Sequence, residues 1–220
     1  MSRDGARSAA VYERARRVLV GGVNSPVRAM RSIGRDPIFI ARARGARLWD
    51  VDGNEYVDYL GTWGPAILGH AAPEVLEAVS AALPDGTSFG APTEAEVRFA
   101  ERVAEAMPSI EQLRMTSSGS EAVTGALRLA RAATGREVIV KTVGGYHGAV
   151  DGLLAEAGSG ATTLGVPTSP GVPVGATAAT RLVPYNDGAA ARTALEGAAA
   201  MIVEPVAGNM GVVPPAPGYL

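Results

Sequence analysis

The chain has 220 residues, 47% of them apolar, a net charge of −2 and two histidines, and it lacks cysteine. A chain of this length can bury a substantial core, and its near-neutral charge favours no nucleic-acid or anionic-membrane partner. The lack of cysteine excludes disulfides and thiolate metal sites, and with only two histidines no metal is expected. No apolar run is long enough to span a bilayer, so the cytoplasm is the expected location.

The first third of the chain predicts a helix followed by a small antiparallel sheet. The helix is expected over residues 8–20, where a pair of glycines would end it. From Pro37 to Leu60 the pattern is typical of strands, and Gly45 and Asp52-Gly53-Asn54 supply the turns. We assign residues 1–68 to this N-terminal helix and sheet segment.

Residues 69–220 predict an α/β domain, because helical and strand patterns alternate as they do in parallel sheets with crossover helices. Helices are expected at residues 73–83, 96–107, 121–133 and 189–197, and strands at 112–116, 137–141, 181–185 and 199–205. Thr93 and Glu96 predict a capping box before the second of these helices. Residues 157–177, rich in Gly, Ser, Thr and Pro, predict a long loop.

Three motifs follow strands of the predicted sheet, at the edge where open α/β sheets bind ligands. TSSGSEA (116–122) opens a helix, so its free N–H groups and hydroxyls predict a phosphate site, with an ordinary serine N-cap as the alternative. GGYHG (144–148) presents Tyr146, either to stack on a flat ligand or to close the core. Glu204 and the following AGNMG either orient a ligand's polar edge or form a turn. Together the motifs favour a flat phosphorylated cofactor.

Several stretches carry a resemblance to a known family. They include VGGVNSPVRA, LWDVDGNEYVDYLGTWGPAILGH, SSGSEA, GGYHG and IVEPVAGNMGVVPP. From about residue 8 to its last residue, the chain resembles the glutamate-1-semialdehyde 2,1-aminomutases, class III aminotransferase relatives of PLP fold type I. The resemblance implies pyridoxal or pyridoxamine phosphate as the cofactor, conversion of glutamate-1-semialdehyde to 5-aminolevulinate for tetrapyrrole synthesis, and a homodimer.

The resemblance also implies roles for five residues at the cofactor. Gly119 and Ser120 would hold its phosphate, and Tyr146 would stack on its pyridine ring. Glu204 and Asn209 would lie near its polar edge.

Four further residues would line the substrate pocket by the same resemblance: Ser25, Arg28, Trp63 and Ser159. The planar Arg28 guanidinium would bind a substrate carboxylate through two parallel hydrogen bonds. The loop around residues 149–177 would be the gate of the active site.

Two motifs depart from the family pattern. SSGSEA stands where the family usually has NSGTEA, and YHGAVD stands where it has YHGHAD, so Ala149 replaces a second histidine. A related aminotransferase with another amino-acid substrate therefore stays an alternative. A non-catalytic half-enzyme that only binds phosphate or a partner is another, and an unrelated α/β phosphate-binding protein is a third.

Lys141 is the only lysine of the chain, and it lies between an apolar run and a glycine-rich loop. Such a lysine is either a Schiff-base amine or an ordinary surface charge. The resemblance places the Schiff-base lysine, and the aspartate that pairs with the pyridine nitrogen, beyond Leu220. We therefore expect Lys141 to be a strand-end lysine with a solvated amine. We also expect residues 1–220 to be the N-terminal half of an enzyme, with an incomplete large domain and no activity alone.

Overall fold

The structure, a computed structural model, describes residues 5–155 and 169–220. The chain divides into two compact units, Met1–Leu113 (unit 1) and Arg114–Leu220 (unit 2). The main helices are α1 (Ala6–Val18), α2 (Pro73–Ala82), α3 (Glu94–Ala106), α4 (Gly119–Thr134) and α5 (Gly188–Leu195). The strands are β1 (Ile40–Arg44), β2 (Arg47–Asp50), β3 (Glu55–Val57), β4 (Ile139–Thr142), β5 (Thr180–Val183) and β6 (Ala200–Ile202).

Unit 1 contains the predicted antiparallel sheet, in the order β1-β2-β3. Helix α1 has no acidic residue in its first turn and no capping side chain of its own. Instead, the carboxylate of Asp52, in the turn between β2 and β3, accepts hydrogen bonds from the N–H groups of Arg7 (2.7 Å) and Ser8 (2.9 Å). A distant turn thus satisfies amides that α1 leaves free, and this contact ties the helix to the sheet.

The end of β2 is organised around Asp50, which is only 3% exposed. Its carboxylate accepts hydrogen bonds from the N–H of Asp52 (3.0 Å), the N–H (2.8 Å) and Nδ2 (2.9 Å) of Asn54, and the hydroxyl of Tyr56 (2.8 Å). Burial by itself raises the pKa of Asp50, but these hydrogen bonds outweigh burial and the pKa lies below the ordinary 3.8. Asp50 therefore stabilises the turn as a carboxylate.

Replacing Asp50 with asparagine is expected to lower the free energy of unfolding of unit 1 by about 1–3 kcal/mol, because an amide cannot accept all four hydrogen bonds. The contribution of the carboxylate should be complete above pH 3.8. It should be lost as the pH falls through the lower pKa of the folded state, because the unfolded chain then binds more protons. Urea unfolding followed by the fluorescence of the neighbouring Trp49, at pH 7 and pH 3, measures both effects.

The exposed pair Arg47–Glu55 offers the control for this prediction. Arg47 Nη1 lies 2.6 Å from Glu55 Oε1, but both side chains are about half exposed. Glu55→Gln should therefore change the free energy of unfolding by less than about 1 kcal/mol. Equal effects of Asp50→Asn and Glu55→Gln at pH 7 would contradict the role given to Asp50.

Helix α3 begins with the predicted capping box. The side chain of Thr93 accepts a hydrogen bond from the N–H of Glu96, and the Glu96 carboxylate accepts one from the N–H of Thr93 at 3.1 Å. This part of the prediction rested on local sequence alone, and the structure confirms it.

Unit 2 contains the predicted parallel sheet, in the order β5-β4-β6 with both neighbours parallel to β4. Every residue of β4 is buried. Val140 packs in one apolar cluster with Val183 and Ala191, while its neighbour Ile139 packs in another with Leu127 of α4. Because successive strand residues point to opposite faces, helices cover both faces of this sheet, and the predicted α/β class is confirmed.

One predicted strand is wrong. Residues 112–116 form no strand, because they have no ladder partner among the described residues. A short segment with apolar residues forms a strand only where a second strand can pair with its main-chain N–H and C=O groups. The proposed division of the chain into residues 1–68 and 69–220 stays a prediction.

Within the described part of the chain, no helix is long and apolar enough to cross a membrane. Residues 5–155 and 169–220 also contain no group of three or more His, Asp or Glu side chains that would hold a metal ion.

Candidate functional site

The amino terminus of α4 leaves two main-chain donors available. Ser118 is the N-cap, and its hydroxyl accepts a hydrogen bond from the N–H of Glu121 at 3.2 Å. The Glu121 carboxylate in turn accepts one from the N–H of Ser117 at 2.8 Å. The N–H groups of Gly119 and Ser120 have no acceptor among the described residues. The serine cap and the proposed phosphate site therefore coexist, because they use different residues.

The Ser120 hydroxyl adds a third donor at this terminus. Its oxygen accepts a hydrogen bond from the N–H of Ala149 at 2.9 Å, which leaves its proton for another acceptor. A side chain added at Gly119 would meet no atom within 4 Å. An open cleft of about 580 Å³ runs along α4, lined by Ser117 and Ser120 near its amino terminus and by Gly125 and Arg128 further along. Two N–H groups and a hydroxyl around open space, at a helix amino terminus, fit a phosphate group.

The loop of residues 144–149 runs closely against its neighbours, which explains two of its glycines. Gly144 has φ +78°, and an added Cβ would lie 2.9 Å from the side chain of Met210. Gly148 has φ +82°, and an added Cβ would lie 2.5 Å from the Ser120 hydroxyl. Only glycine fits either position, because both conformation and space exclude a side chain. The loop is thereby brought against Ser120, one of the residues predicted to bind phosphate.

Tyr146 lies in this loop and is 46% exposed. The ring therefore does not close the core, which was the alternative that the sequence left open. Its main-chain N–H donates a hydrogen bond to Glu204 Oε1 at 3.0 Å. An exposed, flat ring beside phosphate donors is suited to stacking on an aromatic ligand.

Glu204 and Asn209 follow β6 and also contact this loop. Glu204 uses both carboxylate oxygens, accepting from the N–H of Tyr146 and from the N–H of Gly208, each at 3.0 Å. Asn209 donates from Nδ2 to the carbonyl of Gly144 at 3.0 Å. The structure thus brings together all five residues predicted to contact the cofactor, through the loop 144–149.

The amine of Lys141 is not solvated, and this prediction was wrong. Lys141 is 0% exposed, and Nζ donates to the carbonyl oxygens of Leu153 (2.8 Å) and Ala155 (3.2 Å). The sequence suggested a strand end, but β4 is the central strand and its last residues are covered. The buried amine is therefore hydrogen-bonded to main-chain carbonyls within the fold.

The sequence suggested no role for His147, whose only signal was its place beside Tyr146. Its Nε2 is buried and has no hydrogen-bond partner among the described residues. Burial lowers the pKa of His147, the positive charge of Lys141 lowers it further, and Glu204 acts in the opposite direction. His147 is therefore held in its neutral form close to the candidate site.

The residues predicted to line a substrate pocket lie in unit 1, apart from Ser159, which is outside the described residues. Ser25 precedes a 3-10 helix that contains Arg28, and its carbonyl accepts from the Arg28 N–H at 3.0 Å. The Arg28 guanidinium is exposed and forms no ion pair within the described residues. Trp63 is 58% exposed. Among the described residues, no hydrogen bond or ring contact joins Trp63 to Ser25 or Arg28, so their shared role stays a prediction.

A partly buried contact between Asp58 and His70 holds the loop that carries Trp63. Asp58 Oδ2 lies 2.7 Å from His70 Nε2, and Asp58 Oδ1 accepts from the N–H groups of Leu60 (2.8 Å) and Gly61 (3.1 Å). The hydrogen bond with His70 and those with the main chain lower the pKa of Asp58, against the effect of burial. Trp63 itself has φ +66°. This conformation is unfavourable for a tryptophan, and it lies two residues beyond the last main-chain group that Asp58 binds.

Comparison with known proteins places this geometry in a family. Residues 30–220 match the family model described as aminotransferase class-III. A glutamate-1-semialdehyde 2,1-aminomutase from Heliobacterium modesticaldum is 58% identical over 224 residues, which cover 100% of this chain and 51% of that protein. The chain thus spans about half the length of the curated relatives it matches.

Solved structures agree with the fold. A transaminase with bound PLP superposes with a TM-score of 0.90 at 35% identity, over 100% of this chain and 52% of the other. A glutamate-1-semialdehyde aminomutase variant from Pseudomonas aeruginosa, in complex with PMP, superposes with a TM-score of 0.82 at 34% identity, over 97% of this chain and 47% of the other. The fold is PLP fold type I. The cofactor of this family is pyridoxal phosphate, whose phosphate group the donors at Gly119 and Ser120 fit. The chain belongs to the class-III aminotransferase family.

Proposed function

We propose that residues 1–220 form the phosphate- and ring-binding part of a glutamate-1-semialdehyde 2,1-aminomutase, which makes 5-aminolevulinate for tetrapyrrole synthesis. The name of the 58% identical relative supports this substrate. The chain's retention of Ser25, Arg28 and Trp63, which the resemblance assigns to a substrate pocket, supports it as well.

The observation that carries the proposal is the donor set at α4. The N–H groups of Gly119 and Ser120 and the Ser120 hydroxyl bind the phosphate, while Tyr146 covers one face of the ring. When bound, the cofactor supplies an electron-withdrawing ring that stabilises negative charge next to the amino group being moved. The chain's own residues hold and orient it.

Arg28 is proposed to bind the substrate carboxylate. Its guanidinium is exposed and lacks an ion-pair partner within the described residues, so it is available for a bidentate contact. Trp63 and Ser25, with Ser159, are proposed to complete the substrate pocket. A homodimer and a cytoplasmic location stay predictions.

A transaminase with another amino-acid substrate is the second candidate. It is favoured by Ala149, which stands where the aminomutase pattern has a histidine, and by the similarity to a PLP-bound transaminase. A part that binds phosphate or a partner without catalysis is a third candidate.

Activity distinguishes these candidates. Residues 1–220 are joined to the half of the Heliobacterium modesticaldum relative that they do not match, giving a protein that we call the joined enzyme. We expect it to bind pyridoxal phosphate, with an absorption band between about 330 and 420 nm, and to convert glutamate-1-semialdehyde to 5-aminolevulinate. Amino transfer from other amino acids without 5-aminolevulinate would favour the transaminase, and absence of cofactor binding would contradict both enzymes.

A further inference from the structure

Three side chains from two neighbouring elements hold the main chain of the loop 144–149. Asn209 donates to the carbonyl of Gly144 at 3.0 Å, Glu204 accepts from the N–H of Tyr146 at 3.0 Å, and Ser120 accepts from the N–H of Ala149 at 2.9 Å. One side chain therefore contacts the beginning, one the middle and one the end of the loop.

Glu204 has the central place among these contacts. Its Oε1 accepts from the N–H of Tyr146, and its Oε2 accepts from the N–H of Gly208 in the segment after β6. A carboxylate binds N–H donors about twice as strongly as a neutral acceptor does. Both oxygens bind the protein's own main chain, so the carboxylate joins two loops at the carboxyl ends of neighbouring strands, β4 and β6.

The position of the Tyr146 ring depends on this contact. The N–H that binds Glu204 belongs to the same residue that carries the ring, so the contact restricts the direction of the Cα–Cβ bond. On the other side of Tyr146, the close approach of Gly148 to Ser120 limits the positions that the main chain can take. With the main chain held, only the two side-chain torsions of Tyr146 remain to be restricted by a ligand, and less entropy is lost on stacking.

We propose that Glu204 is a positioning residue, which sets the orientation of the Tyr146 ring and acts on the cofactor through that ring. This inference rests on the proposed function and deepens it. It differs from the role that the resemblance implied for Glu204, at the cofactor's own polar edge. The Glu204 carboxylate makes no other hydrogen bond among the described residues, and its two contacts are both with the loops that it joins.

The contact itself is tested without cofactor, in the 220-residue chain. We expect slow hydrogen exchange at the Tyr146 amide, and an exchange rate about tenfold higher in Glu204→Ala, because one net hydrogen bond is lost. Fast exchange at Tyr146 in the unmodified chain would overturn the proposal, whether or not the variants fold. Glu196→Gln, which changes an exposed carboxylate of the same unit, is the control and should leave the rate unchanged.

A double-mutant cycle in the joined enzyme tests whether Glu204 acts through the ring. Tyr146→Ala and Glu204→Ala should each weaken pyridoxamine phosphate binding by about 3- to 10-fold, which corresponds to loss of one stacking contact. The double variant should bind about as weakly as Tyr146→Ala alone, because Glu204 then has no ring to orient.

Two results of the cycle would overturn the proposal. Losses that multiply in the double variant would show that Glu204 contacts the cofactor independently. An unchanged affinity in Glu204→Ala would show that the orientation of the Tyr146 ring does not depend on Glu204. Thermal unfolding of each variant identifies any loss caused by misfolding. If the unmodified joined enzyme binds no pyridoxamine phosphate, the proposed function fails, while the exchange rates still decide whether Glu204 holds the loop.

Discussion

Lys141→Ala is expected to lower the free energy of unfolding of unit 2 by about 3–5 kcal/mol. The substitution leaves a cavity in a fully buried layer, and the carbonyl oxygens of Leu153 and Ala155 lose a donor. Urea unfolding monitored by circular dichroism, together with hydrogen exchange of the β4 amides, measures the loss in the unit that contains the lysine.

Two other variants separate the causes. Lys141→Met keeps most of the buried stem, so it should cost about 1–3 kcal/mol, the cost of the lost donor. Arg128→Ala removes an exposed cation of α4 and should change stability by about 0.5 kcal/mol or less. If Lys141→Ala were as mild as Arg128→Ala, the amine would be solvated after all.

A separate experiment tests whether Lys141 forms a Schiff base with the cofactor. In the joined enzyme, borohydride reduction should attach no phosphopyridoxyl group to Lys141, because its Nζ is buried and donates to main-chain carbonyls. Peptide mapping that found the group on Lys141 would contradict its assignment as a structural residue.

Gly119→Asp is expected to weaken the binding of pyridoxal phosphate by the joined enzyme at least about 100-fold. The new carboxylate would lie beside the free N–H groups that are proposed to bind a dianionic phosphate, and like charges a few ångströms apart repel by several kcal/mol even near a protein surface. Folding should be preserved, because an added Cβ meets no atom within 4 Å and an acidic residue is favourable in the first turn of a helix. A cofactor titration followed by absorbance measures the affinity.

Two further variants separate the effect of the new charge on cofactor affinity from the effect of its position in α4. Gly119→Asn has the same shape without the charge and should cost much less affinity. Ala126→Asp places the same carboxylate later in α4, at an exposed position outside the lining of the cleft, and should leave affinity nearly unchanged. A Gly119→Asp variant that binds the cofactor normally would exclude this helix terminus as the phosphate site.

Local features of this protein were determined by the sequence. The turns of the antiparallel sheet and the capping box of Thr93 and Glu96 depend on residues a few positions apart, so the sequence contains all of their partners. The motifs SSGSEA and GGYHG likewise indicated a phosphate donor and an aromatic ring, because a helix amino terminus and a glycine-rich turn are local structures.

Only the tertiary structure decided which residues that lie far apart in the chain contact each other. Asp52 caps α1 from 44 positions away, and Glu204 holds Tyr146 from 58 positions away. The strand expected at residues 112–116 does not form, since pairing depends on a second strand that sequence patterns do not reveal. Lys141 was predicted to be a strand-end lysine with a solvated amine, yet β4 is the central strand of its sheet and is covered on both faces. Burial and long-range hydrogen bonds depend on which segments meet in the fold, and this is why the sequence predicted a phosphate site at a helix terminus but not the long-range contacts around it.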